Sequence, residues 1–86
     1  MRLSNDYVIK HILDSDILID IKSNFNGVIK LNKTSLDIIN CVNKGMNTSE
    51  IVNFLNDKYN IDKAVLINDV IEFINDCLNK GIFIND

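Results

Sequence analysis

The sequence predicts an α+β domain in which a three-stranded antiparallel sheet precedes three helices. Apolar residues alternate in twos as far as Leu31, the period changes to helical spacing at Asn32, and capping residues then divide the rest of the chain into three segments. Each segment has its own local signals.

The cleanest alternation runs from Asp16 to Lys22, where Ile17, Ile19 and Ile21 share one face opposite Leu18, Asp20 and Lys22. The isoleucine face is expected to be buried and the other mostly wet. Asp6 to Leu13 reads as a strand with a weaker alternation. Between the two, Asp14-Ser15-Asp16 is a turn signal of side chains that bond their own backbone, so the pair is expected to form a hairpin. Ser23-Asn24-Phe25-Asn26-Gly27 then tolerates left-handed backbone and turns the chain into a third strand, Val28 to Leu31. The result is an antiparallel meander.

Asn32 can cap the first helix through the free amides of its opening turn, and Thr34 with Asp37 three residues on competes for that role. Ser35, Ile38, Ile39, Cys41 and Val42 fall on one side of this helix, Leu36 is an outlier, and Gly45 suits the left-handed position past its end. Asn47 with Glu50 forms a capping-box pattern for the second helix, whose apolar stripe is Ile51, Phe54, Leu55 and Tyr59 with Val52 at the margin. This helix ends near Asn60. The third begins around Asp62 and ends at Gly81, with Lys80 favourably placed against the negative end of the helix dipole. Ile82, Phe83 and Ile84 form an apolar tail.

At 86 residues and 47% hydrophobic content the chain has material for one core, so residues 1–86 are read as a single domain. A domain of this size buries about 60 to 65% of its unfolded surface. Met1 to Lys10 lacks the apolar run of a signal peptide, and no stretch approaches the roughly 18 apolar residues of a membrane span. A cytoplasmic protein without a membrane partner is expected. The 14 asparagines fall largely on outward helix faces and read as a solvated surface.

Residues that could carry catalysis are sparse. Cys41 and Cys77 lie on different helices without Cys-x-x-Cys spacing, and His11 has no second histidine, so no metal site is expected and the thiols read as core residues. Asp14, Asp16 and Asp20 lack the central glycine and closing glutamate of a calcium loop. No catalytic constellation, metal or cofactor is therefore assigned.

Two features point to binding. Leu66, Ile67, Val70, Ile71, Phe73, Ile74, Cys77 and Leu78 span about 160° of the third helix's wheel, more than the roughly 100° one core contact needs. If the third strand lies at a sheet edge, its free amides and carbonyls can template an added peptide strand. The wheel leaves open which stripe of the helix would face such a groove.

The order of three strands and three helices, with specific residues, resembles the PqqD family of peptide-recognition domains, known more broadly as RiPP recognition elements. The carriers are Leu31-Asn32-x-Thr34, then Gly45-x-Asn47-Thr48-x-Glu50-Ile51-Val52, then Asp69-Val70-x-x-Phe73-Ile74 running to Gly81-Ile82. Cys77 beside Leu78 stands where the family pattern has leucine. The resemblance implies a winged helix-turn-helix-like domain that binds the leader segment of a ribosomally made precursor peptide and presents the peptide to a separate modifying enzyme. Such an adaptor is not itself an enzyme; its partner could be a radical SAM maturase, a lasso-type leader peptidase or another maturase, and the sequence does not choose among them. The family's strand-addition mode maps onto Val28, Ile29, Lys30 and Leu31 with Leu66, Ile67, Val70 and Ile74, leaving Phe73 to the core.

The rival class is a winged-helix DNA-binding regulator. With 9 Lys and Arg against 12 Asp and Glu, a net charge of -3 and no basic cluster on a helix, the phosphate-neutralising footprint is missing, and no nucleic-acid partner is expected. A pantetheine-bearing carrier would need Asp-Ser-Leu at a helix start, whereas Asp14-Ser15 is followed by Asp16 in a strand turn. An unprotected third-strand edge could also pair with its copy in a homodimer.

Overall fold

The computed structural model describes residues 1–22 and 27–85. In chain order the elements are β1 (Arg2–Leu3), β2 (Tyr7–Ile12), β3 (Ser15–Asp20), β4 (Gly27–Leu31), α1 (Lys33–Asn43), α2 (Thr48–Tyr59), α3 (Lys63–Asn79) and β5 (Phe83–Ile84). Strands β2, β3 and β4 form the expected antiparallel meander in that spatial order. The first turn is tighter than Asp14-Ser15-Asp16, because Ser15 already pairs with Ile12 and only Leu13 and Asp14 link the strands. The second expected turn falls on residues 23–26, outside the described residues; Gly27 already pairs with Asp20.

The inward face of β3 is the reverse of the expected one. Leu18 is buried in the core, whereas Ile17 and Ile19 are only half-buried and Ile21 is exposed. Residues directly opposite across an antiparallel pair share a face. Leu18 stands opposite both Ile9 and Ile29, and Asp16 stands opposite Leu31, so Ile9, Leu18, Ile29 and Leu31 point to the helices. Ile17, between Lys10 and Lys30, points away with Ile19 and Val28. Both faces are rich in apolar residues, so alternation fixes the period and leaves the sense open. The buried Leu31, where the chain leaves the sheet for α1, shows which side the helices cover.

The helix boundaries follow their caps. Asn32, rather than Thr34, is the N-cap of α1, its Oδ1 accepting from Ser35 N at 2.8 Å. Asn47 accepts from Glu50 N at 2.9 Å while Glu50 Oε1 accepts from Asn47 N at 3.0 Å, completing the capping box of α2. Asp62 accepts from Ala64 N at 2.8 Å at the start of α3. Past α1, Gly45 at φ +81° lets Met46 N reach Cys41 O at 3.1 Å; past α3, Gly81 at φ +74° lets Ile82 N reach Cys77 O at 2.8 Å. Both are Schellman endings, in which the left-handed glycine returns the chain toward the core. Asn60–Asp62 joins α2 to α3 as a helix-turn-helix connection, with the β2–β3 hairpin as a wing.

The apolar tail becomes β5 and pairs antiparallel with β1, Leu3 opposite Phe83. Ser4 N donates to Ile82 O at 2.8 Å, extending the ribbon by one bond, and Leu3 N donates to Asn43 Oδ1 at 2.9 Å, tying it to the end of α1. Strands of two residues are too short to show an alternation, so the ribbon had no sequence signal. Phe83 enters the core with Ile39, Val42, Ile51, Leu55, Leu66 and Val70.

Candidate functional site

Strand β4 has one neighbour, β3, and forms an edge of the meander. The backbone groups on its far side face no other strand among the described residues. Along this edge Val28 is 54% and Ile29 41% exposed, Lys30 is exposed, and Leu31 is buried. Ile29 therefore points to the helix side of the sheet yet remains half open, while Val28 and Lys30 stand on the opposite face.

Where β4 ends, the chain passes through Asn32 into α1, and its first turns form one wall of a hollow of about 610 Å³. That wall is Asn32, Thr34, Ser35 and Ile38; the opposite wall is Asp69, Glu72, Phe73 and Asp76 of α3. Asp69, Glu72 and Asp76 recur at the i, i+3 and i+7 spacing that places side chains on one helix face. Phe73, assigned from sequence to the core, does both jobs: it packs edge-on against Phe83, ring centroids 6.2 Å apart at 69°, and it also lines the hollow.

The structure separates the four α3 residues picked from the apolar wheel. Leu66, Val70 and Ile74 are 2%, 0% and 7% exposed and belong to the core stripe with Cys77. Ile67 is exposed but lines a second hollow of about 470 Å³, with Thr48, Ser49, Val52, Asn53 and Lys63 at the starts of α2 and α3. None of the four lines the hollow beside the end of β4. The wide arc thus resolves into a buried stripe and an outer flank of Ile67 and Ile71. The wall that sequence reasoning missed, Asp69, Glu72 and Asp76, was visible as a carboxylate stripe beside the apolar one.

No lysine, arginine, histidine or cysteine is among the residues lining the first hollow. His11 Nδ1 lies 2.9 Å from Asp16 Oδ1 on the exposed hairpin. The thiols of Cys41 and Cys77 are buried, which pushes both toward the protonated form, Cys77 up to about 11. No group of three or more His, Cys, Asp or Glu among the described residues could hold a metal ion, and no described helix is long and apolar enough to cross a membrane. Asp37 ties α1 to α2, accepting from Lys58 Nζ at 3.1 Å and from the Tyr59 hydroxyl.

Two solved structures share this architecture. TbiB1 in complex with the TbiA(beta) leader peptide aligns with a TM-score of 0.79 at 22% identity, covering 99% of this chain and 100% of that one. Lasso peptide synthetase B1 complexed with the leader peptide aligns with a TM-score of 0.84 at 18% identity, covering 98% and 96%. At these identities the likeness is one of fold. No curated protein matches the sequence. The family model for coenzyme PQQ synthesis protein D (PqqD) matches residues 16–82, from β3 through the end of α3, and the chain therefore belongs to the PqqD family.

Proposed function

We propose that this PqqD-family domain binds the leader segment of a ribosomally synthesised precursor peptide and presents it to a separate modifying enzyme, acting as a non-catalytic adaptor in the cytoplasm. The observation that carries the reading is the edge of β4, which pairs with no second strand among the described residues, together with the hollow between α1 and α3 that begins at Asn32, the residue after β4. Membership of the family, and a fold shared with proteins solved with leader peptides bound, support it. The leader adds as a fourth strand along Val28, Ile29, Lys30 and Leu31, its backbone satisfying the far-side amides and carbonyls of β4.

Because side chains of an added strand alternate, every second one points to the helix side, toward Ile29 and the hollow, and the rest join the outer face beside Val28 and Lys30. Backbone pairing supplies affinity for any extended segment; the side chains entering the hollow supply selectivity. Leu66, Val70 and Ile74 contribute by holding α3 in place from the core. The enzyme partner is a modifying enzyme such as a radical SAM maturase or a lasso-type leader peptidase, and pairing of β4 with a second copy would compete with the leader.

An amide NMR titration of the labelled domain with the leader of its precursor tests this. Shifts confined to Val28–Leu31 and to the Asp69–Asp76 stretch of α3 are expected, with none from duplex DNA at equal concentration. Silence of β4 amides at near-millimolar leader would overturn the proposal.

A further inference from the structure

The outer and inner sides of the β4 edge differ in charge. Lys30 stands opposite Ile17, which also faces Lys10, so the cations of the central sheet lie on the outer face. On the helix side, the hollow presents three carboxylates, and no cation is among its lining residues. Asp76 is matched by Lys80, Nζ to Oδ2 at 3.0 Å. The side chains of Asp69 and Glu72 make no ion pair or hydrogen bond among the described residues.

Between these carboxylates sit Phe73 and Ile38, so the hollow combines apolar surface with an acidic rim. A strand laid along β4 would cover part of that rim and strip water from it. Covering unpaired carboxylates with a neutral or acidic side chain is unfavourable, because a desolvated charge without a counter-charge loses hydration and gains nothing. Lysine and arginine suit the place on both counts. Their methylene stems can lie on Phe73 and Ile38 while the cationic head reaches the carboxylates.

We infer that the hollow selects a basic side chain at a leader position pointing toward α3, with Asp69 and Glu72 as the residues that set this preference. The inference rests on the strand-addition reading above and names the substrate chemistry of that same site. It also sets a parity: cations are favoured at inward leader positions and carry no advantage at the outward ones beside Lys30.

The test uses three synthetic peptides of alternating valine and threonine, identical except that one central valine is Lys, Gln or Glu. The face taken by the substituted position is read in each complex from side-chain cross-peaks to Phe73 on the inner side or to Val28 on the outer, and the comparison is made for the complexes in which it points inward. Affinities from amide titrations should fall in the order Lys, Gln, Glu, spanning about three- to tenfold at low salt and narrowing as salt is added. In the Asp69→Asn/Glu72→Gln variant the three should converge to within about twofold, and in the Asp69→Lys/Glu72→Lys variant the order should invert. Equal affinities for the three peptides, with β4 amides shifting normally, would overturn the selectivity and leave strand addition standing. If neither these peptides nor the precursor's own leader move the Val28–Leu31 amides, strand addition itself fails and the selectivity falls with it.

Discussion

Leu13 sits at the tip of the β2–β3 hairpin with φ 56°, in the left-handed region, and is 90% exposed. A side chain with a Cβ is disfavoured there by about 1–2 kcal/mol, and its leucine body gains nothing from burial. Leu13→Gly should therefore raise stability by about 0.5–1 kcal/mol after glycine's greater unfolded-state freedom is counted, visible as a higher midpoint in thermal melting. Gly27 shows the opposite case on the next strand. A Cβ built there would lie 2.9 Å from the Cβ of Asp20, its pairing partner, so Gly27→Ala must push β3 and β4 apart. Urea unfolding of that variant should show a loss of about 1–3 kcal/mol. Neither effect is legible from composition: leucine is an unusual turn residue, and a glycine before a strand reads as turn chemistry until its partner across the sheet is known.

At the scale of elements, α3 carries three different faces on one helix. Its core stripe, Leu66, Val70, Ile74 and Cys77, holds it to the rest of the molecule; its carboxylate stripe lines the candidate groove; its outer flank, Ile67 and Ile71, remains exposed. Leu66→Ala should cost about 2–5 kcal/mol in denaturant unfolding, as a fully buried leucine does when truncated, with leader affinity retained in the fraction that folds. A loss of leader affinity without a loss of stability would instead place Leu66 in the groove. The start of α2 offers an independent check on local energetics. Asn47→Ala removes the acceptor for Glu50 N while the backbone N–H of residue 47 can still donate to Glu50 Oε1, so a loss of about 0.5–2 kcal/mol is expected by the same measurement. This cap was readable from Asn47 and Glu50 alone, because both partners lie within one turn.

For the molecule as a whole, one core joins β3, the end of β4, all three helices and β5, and both thiols lie inside it. Burial favours the neutral thiol, raising Cys77 from 9.0 to about 11. Its contribution to stability is therefore full below about pH 9 and is lost as pH rises through about 11, so alkaline unfolding should begin within that window. Tyr59 acts in the same direction, because its hydrogen bond to Asp37 holds the phenol protonated. At pH 8 a thiol-specific reagent should label native Cys41 and Cys77 at least about 100-fold more slowly than the denatured chain. Labelling of either cysteine at the denatured rate would show that the core opens locally around it.

What the sequence determined by itself was local: the change of period at Asn32, the capping box of Asn47 with Glu50, the left-handed glycine at 45, the limits of the third helix near Asp62 and Gly81, and hence the meander and the three helices. Each of these depends on residues within a turn or two of one another, so each leaves a mark in the order of the residues. The tertiary structure alone decided which face of β3 is inside, the pairing of β1 with β5, and which face of α3 borders the groove. Ile17 and Leu18 are nearly equal in hydrophobicity, so the sense of β3 is set by where the chain after Leu31 lays its helices. The acidic wall likewise needed Asn32 and Asp69, distant in sequence, to be brought to one hollow, and only long-range packing does that.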